Sequence, residues 1–349
     1  MVKQLATEIR WQDRRFHVPL ERIKLSEEWG YDAVFAAEGR GSDALTPLGY
    51  VAGHTKSLKL GARIIQMPAR PPASAARALM TLDHMTGGGR VIAGLGSSSR
   101  SAAEGLAGVP WGSPTEQMRD YVAILRQAFA GEPLDYHGKQ YQTPSRGSAV
   151  APMRVELEPT PAIPILVAAT GPSNIKLAAE VADGWMPAHF APGMLKPFLP
   201  LLEEGFARRT APRRREDFEI WAHVDVLVDD DVGVAMRPFK EYAATYARSQ
   251  SPFMNARGFP GLGERLAELV GAGHFEQAVR EVPDEYVDGG WLVGPLARIR
   301  ERIRRWLDSE LTGLIIRYGP QVGADRSGAA ERLEAFRAVA EAAGRVRRT

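Results

Sequence analysis

The sequence predicts an α/β protein, a (β/α)8 TIM barrel with insertions, and three observations carry that prediction. Short buried apolar runs alternate with helix-period segments eight times along 349 residues, which is the unit count of such a barrel. The stretch from Leu58 to Ser99 shows the unit most clearly, as strand, loop, helix, strand and loop. Its strand runs lack polar alternation, as expected of strands covered on both faces in a parallel sheet. Counting alone leaves a doubly wound sheet open, because it does not prove closure.

In chain order, residues 2–8 form a weak first strand, and a helix over 19–29 carries Leu20, Ile23, Leu25 and Trp29 and stops at Gly30. A strand over 32–37 opens into the loop 38–42, and 43–54 is the second helix. Residues 58–65 are the third strand. Ser74 then precedes a helix marked by Ala75, Ala78, Leu79, Leu82 and Met85, which Gly87 to Gly89 end, since glycine adopts the positive φ of a helix terminus without steric cost. Residues 91–95 are the fourth strand, and 100–114 read as a long polar loop before a helix over 115–130. Proline, glycine and scattered aromatics make 131–160 an excursion with a small hairpin. Strands follow at 163–169, at 184–190 with its loop, and at 218–228, separated by helices over 175–182 and 193–209. Only helices and loops are expected over 229–295. A helix from Gly294-Pro295 to Leu307 and a strand over 312–318 follow, and the last helix covers 328–343. The chain is thus read as one domain, 1–349, with insertions at about 131–160 and 229–295.

Composition narrows the function classes. With 44% hydrophobic and 25% charged residues the chain is of globular type. A formal net charge of +2 makes no case for a nucleic-acid binder. Cysteine is absent, which excludes disulfides, thiolate metal sites and a cysteine nucleophile and suits a reducing cytoplasm. No apolar run reaches the roughly 18 residues of a membrane span.

In a barrel the site is built by the segments after the strands, here 8–11, 38–42, 66–70, 97–104, 170–174, 189–190 and the stretches beginning at 229 and 319. Ser97, Ser98 and Ser99 offer hydroxyls, and Thr170 to Asn174 sits at a helix start that favours an anion. Helix capping and turn chemistry explain the same residues equally simply. Gly94-Leu-Gly96 lacks the third glycine of a dinucleotide fingerprint, because Ser99 stands there. The seven histidines include no ligand pair at helical spacing, so no metal is expected. His189 falls at a strand end, and His223 lies within a strand with a path into the barrel. A hydrogen-bonded structural role is open to both. Glu38 follows the second strand, where an acid orients a ring or moves a proton, or else pairs with Arg40 or Arg63. Arg70 and Arg100 lie near the mouth as candidates for an acidic ligand.

Several motifs in one order carry a resemblance. They are Gly30-Tyr-Asp-Ala-Val-Phe-Ala-Ala-Glu38, Gly41-Ser-Asp-Ala-Leu-Thr-Pro47, Leu60-Gly61 through Arg70, Leu82-Asp-His-Met-Thr-Gly-Gly88, Gly94-Leu-Gly96 and Ala182-Asp-Gly-Trp185. Similarity continues at Glu204-Gly-Phe-Ala-Arg208 and Gly294-Pro295. Together they resemble the luciferase-like monooxygenase superfamily and, more narrowly, its actinobacterial branch dependent on the deazaflavin coenzyme F420.

The resemblance implies a barrel with a flavin or deazaflavin ring over the strand ends, often as a homodimer, and a bulge with a non-proline cis peptide at Arg63-Ile64. It implies a cofactor site made of Glu38, Gly39, Arg63, Ile64, Gln66, Ser97, Ser98, Ser99, Ala169, Thr170, Gly171, Ser173 and Asn174. Two departures stand out: Gly39 replaces a histidine that is catalytic in some relatives, and Ser99 replaces a loop glutamate. The implied activity is hydride exchange between F420 and a small or lipid-like organic substrate, with Glu38 or His189 near the reacting carbon. An oxygen-consuming monooxygenase fed with reduced FMN shares the fold, as does a non-catalytic carrier. A glycosidase would need a second strand-end acid to partner Glu38.

Overall fold

The computed structural model describes residues 4–10, 16–319 and 333–346. Within them eight parallel strands close on themselves. They are Gln4–Ile9, Ala33–Ala36, Lys59–Ala62, Val91–Gly96, Ile165–Ala168, Gly184–Met186, Glu219–Val228 and Gly313–Tyr318. Each pairs with the next, and the eighth returns to the first with Gln4 opposite Gly313. The fold is therefore a (β/α)8 barrel, and the doubly wound alternative is excluded.

Both faces of the strands are filled, which is why their sequences show no polar alternation. Outward residues such as Val34, Leu60, Leu95, Val167 and Val224 pack under the surrounding helices. Inward residues form a floor of Ala6, Phe35, Ile92, Leu166, Trp221 and Ile315. Phe35 and Trp221 meet edge to face at 5.1 Å. Two glycines make that meeting possible: a Cβ at Gly61 would stand 2.3 Å from Phe35 and one at Gly313 2.2 Å from Trp221.

The third strand departs from the continuous run expected over 58–65. Gly61 pairs with Ile92 whereas Ile65 pairs with Leu95, so one extra residue is accommodated between them. This is a bulge, a device that re-aims side chains at barrel rims. The Arg63-Ile64 peptide within it is cis. The Ile64 side chain lies where a Cβ on Gly96 would otherwise be, 2.6 Å away.

Three further expectations are corrected. Residues 100–105 are not loop but the helix Arg100–Gly105, because Ser99 Oγ accepts the Ala102 N–H at 3.2 Å and caps it. The helix after the third strand begins at Pro72, ahead of Ser74, since proline suits a first turn. Residues 229–295 also hold a strand, Leu292–Gly294, paired with Val226–Val228 of the seventh strand. The helices before it have their own core around Phe239, Met254 and Tyr286. The expected hairpin is present as Tyr136–His137 against Gln142–Thr143. The loop positions after Arg10 and after Gly319, and the start of the last helix, lie outside the described residues, where that helix is seen as Leu333–Ala342.

Candidate active site

Toward the strand ends the apolar floor gives way to charge. Glu8, His223, Asp225 and Arg317 project from the first, seventh and eighth strands, Arg10 follows the first, and Arg63 follows the third in its bulge. Parallel register sets Asp225 opposite Arg317, and the pair is two-pronged, with Nε and Nη2 of Arg317 donating to Oδ1 and Oδ2 at 2.8 and 2.6 Å. Arg63 donates to Glu8 Oε1 at 2.7 Å. Arg317 Nη1 lies 3.5 Å from Glu8 Oε2, and Arg10 Nη1 lies 3.6 Å from Asp225. Burial alone would raise the Glu8 pKa, but Arg63, Arg317 and Arg10 outweigh it and hold the carboxyl below its ordinary range.

Arg63 Nη2 also reaches His223 Nδ1 at 2.5 Å. A guanidinium only donates, so Nδ1 accepts and the proton of the neutral ring sits on Nε2. Burial, then the charges of Arg317 and Arg63, push the His223 pKa well below its usual value. The His189 pKa falls to about 4, first through burial and then through Arg317 and Arg257. Both imidazoles are neutral at pH 7. His189 is also held at φ +50°, in the left-handed region, with its ring 5.0 Å from that of Phe253.

Two hollows open around this network. The larger, about 770 Å³, is lined by Glu38, Gly39, Gln66, Ser98, Ser99 and Tyr242, with Arg10 among its other walls. The smaller, about 20 Å³, is lined by His189, His223, Asp225, Tyr242, Arg257 and Arg317. Tyr242, on the helix Val232–Thr245, is common to both.

Glu38 pairs with neither Arg40 nor Arg63 among the described residues. Its Oε1 accepts the Gln66 backbone N–H at 3.1 Å and its Oε2 that of Ala44 at 3.3 Å, while Arg70 stands 3.8 Å away. Gln66 Nε2 donates back to the Glu38 carbonyl at 3.2 Å. Burial raises the Glu38 pKa, and the two backbone N–H groups and Arg70 only partly oppose it.

The expected site residues thus divide. Glu38, Gly39, Gln66, Ser98 and Ser99 share the larger hollow, and Arg63 and Ile64 form the bulge beside it. Ser97 is half-buried and does not line it. Ala169, Thr170, Gly171, Ser173 and Asn174 follow the fifth strand, on the same barrel rim but outside this lining. Asn174 Oδ1 accepts the Thr115 hydroxyl at 2.7 Å, and the Ala169 carbonyl accepts the Trp185 indole N–H at 2.9 Å. His189 lies in the smaller hollow. Arg100 is exposed beside Glu104 at 3.7 Å and lines neither hollow.

Glu8 and Arg10 fall within the expected rim segment 8–11 without being singled out there, and Asp225, Arg317, Arg257 and Tyr242 escaped the sequence reading. A signal existed for three of them: Glu8, Asp225 and Arg317 are charges inside apolar strand runs. Asp225 falls two residues after His223, on the same strand face. Among the described residues no group of three His, Cys, Asp or Glu side chains is placed to hold a metal ion, and no helix is long and apolar enough to cross a membrane.

The sequence pattern of the luciferase-like monooxygenases matches residues 6–312. A Mycobacterium tuberculosis protein, provisionally named a coenzyme F420-dependent oxidoreductase, is 35% identical over 313 residues, covering 86% of this chain and 90% of that protein. The F420-dependent tetrahydromethanopterin reductase of Methanopyrus kandleri superposes with a TM-score of 0.75 at 22% identity, over 98% of each chain. An F420-dependent secondary alcohol dehydrogenase, solved with an F420–acetone adduct, gives 0.71 at 19% identity over 97% of this chain and 98% of that one. At those identities the two structures speak to the fold.

Proposed function

Because this chain belongs to the luciferase-like monooxygenase family, we propose that it is an oxidoreductase that holds coenzyme F420 over the strand ends and exchanges a hydride with a small organic substrate. The observation that carries this reading is the 770 Å³ hollow on the C-terminal rim, walled by Glu38, Gln66 and Ser98 and bordered by the Arg63-Ile64 bulge. The residues fit such a group. Gly39 has open space where a Cβ would stand. Arg10, in the same wall, has a buried Nη1 without a hydrogen-bond partner among the described residues. The 35% identical mycobacterial relative supports the choice of coenzyme by its name.

When bound, a deazaflavin supplies a ring carbon that takes up or gives out a hydride, while the protein supplies position and electrostatics. Glu38 would act chiefly by holding Gln66 and the start of the helix Leu45–Ala52 in place, and Ser98 and Ser99 would present hydroxyls to the ligand. Thr170, Gly171, Ser173 and Asn174 would take the acidic tail, a role supported by the family resemblance and by their helix-start position. His189, neutral at pH 7, would hold a substrate oxygen by a hydrogen bond without carrying a charge, as neutral imidazoles do in other barrels. The reading extends to a single-domain homodimer in the cytoplasm, on the same resemblance.

The test is a side-by-side titration with F420 and FMN, read by fluorescence quenching. Selective F420 binding is expected, followed by turnover with alcohols, ketones or activated alkenes. Selective FMN binding would move the activity to oxygen chemistry, and binding of neither would overturn the proposal.

A further inference from the structure

Tyr242 is the residue that the two hollows share. It projects from the helix Val232–Thr245. Its ring is set among three others, 5.0 Å from that of Tyr246, 6.4 Å from Trp291 and edge to face with it, and 6.4 Å from the His189 imidazole. Its hydroxyl is not held in the same way. Tyr31, Tyr121, Tyr136, Tyr141 and Tyr286 each donate theirs to an acceptor within the protein. The Tyr242 hydroxyl has no hydrogen-bond partner among the described residues. An unpaired polar group in the wall of a site points to a role outside the fold.

The other walls of the larger hollow are poor proton donors. Arginine keeps its protons at neutral pH, which sets aside Arg10 and Arg40. Both carboxylate oxygens of Glu38 accept backbone N–H groups. Serine hydroxyls are far weaker acids than a phenol, and Tyr246 is 40% exposed. The sizes of the two spaces add a direction. The larger, about 770 Å³, takes the body of a small molecule, while the smaller, about 20 Å³, takes one oxygen or one water. A substrate oxygen turned from the larger space toward the smaller comes to Tyr242, the wall common to both, with His189 beyond it. Burial pushes the Tyr242 pKa up to about 12, against the charge of Arg317, which lowers it. The phenol therefore keeps its proton at neutral pH and serves as an acid, which suits reduction and not oxidation.

We infer that Tyr242 is the catalytic proton donor of this site and that the substrates are aldehydes or ketones, which the protein reduces to alcohols. The carbonyl carbon takes the hydride supplied by the reduced coenzyme, which is thereby oxidised. The π pair of the carbonyl moves onto its oxygen, that oxygen takes the Tyr242 proton, and the phenolate regains a proton from solvent. This rests on the reading of the protein as an F420-dependent oxidoreductase.

The experiment compares native protein with Tyr242→Phe and Tyr246→Phe. With reduced F420 and benzaldehyde or cyclohexanone, followed by the absorbance of F420, Tyr242→Phe should lose at least about a hundredfold in kcat, the lower end of general acid catalysis, with a smaller change in KM. Binding gives an independent readout. Benzamide, whose carbonyl accepts a hydrogen bond but takes no hydride, is titrated into the F420-loaded protein. It should bind native protein about three- to tenfold more tightly than Tyr242→Phe, the scale of one neutral hydrogen bond. Urea unfolding of the two should coincide, since the hydroxyl holds no part of the fold. A smaller loss of kcat, benzamide bound equally or by neither, earlier unfolding of Tyr242→Phe, or an equal kcat loss in Tyr246→Phe would overturn the inference. Reduction of neither carbonyl by native protein would overturn the substrate class. Failure of native protein to bind F420 would overturn the coenzyme reading and this inference together, whereas F420 binding and turnover that persist in Tyr242→Phe would overturn this inference alone.

Discussion

Arg63 and His223, 160 residues apart in the chain, meet at 2.5 Å across the barrel mouth, and through Arg63 the imidazole is tied to Glu8. The contact fixes which nitrogen of His223 carries a proton and gathers three strands around one guanidinium. Charge inside a barrel tolerates little change, because each group is the solvent of the next.

Arg317→Met should therefore be severe. It leaves Asp225 and Glu8 short of a counter-charge in a buried setting, a loss of about 3–5 kcal/mol. Urea unfolding of Arg317→Met and of Arg317→Met with Asp225→Leu measures it. The double variant should recover a large part of the loss, and equal losses would show that packing, not charge, is at stake.

Gly61→Ala tests the floor. The new methyl meets Phe35 at 2.3 Å, and overpacking of this kind costs about 1–3 kcal/mol. Phe35→Leu should be damaging alone and partly restorative in combination. Additive losses would contradict the steric account.

Acid should destabilise the protein through its histidines. The His189 pKa of about 4 and the downward-shifted pKa of His223 both lie below the unfolded value of about 6.5. Below that value the unfolded chain binds more protons, so this stabilisation is full above about pH 6.5 and is lost as pH falls toward 4. Stability of native protein and His189→Asn across this range checks it. The variant should show the shallower decline, and parallel curves would remove His189 from the account.

Glu38→Gln places an amide donor against two backbone N–H groups that now share a carboxylate. A loss of about 1–3 kcal/mol is expected, with weaker F420 binding in titration because Gln66 and the loop before Leu45 lose their anchor. Glu38→Asp, shorter but anionic, should fall between. Unchanged F420 affinity in Glu38→Gln would show that Glu38 serves the fold alone.

The barrel was legible because the strand runs are largely apolar on both faces and several helices begin at proline or end before glycine, as at Pro72 and Gly87. The rim loops were legible as places, and Glu38, Ser98 and Ser99 do share one hollow. What the reading could not supply was partnership. Glu38 was paired in anticipation with Arg40 or Arg63, and it stands by Arg70, because which arginine reaches it depends on the bulge at Ile64. Asp225 and Arg317 become partners only through the register of the seventh and eighth strands. Tyr242 and Arg257 come from helices whose placement over the barrel is set by tertiary packing and leaves no local trace.

The seventh strand keeps two allegiances. Its lower end, Glu219 and Ile220, pairs with the sixth strand, while its upper end, Val226 to Val228, pairs with Leu292–Gly294. Between Ile220 and the rim the seventh strand exchanges one neighbour for the other. His189 follows the sixth strand at that exchange, and the helical segment joined to the barrel by Leu292–Gly294 brings Tyr242 and Phe253 against its ring. The inserted segment is therefore part of the wall around His189, and removing it would leave the upper seventh strand without its partner on that side.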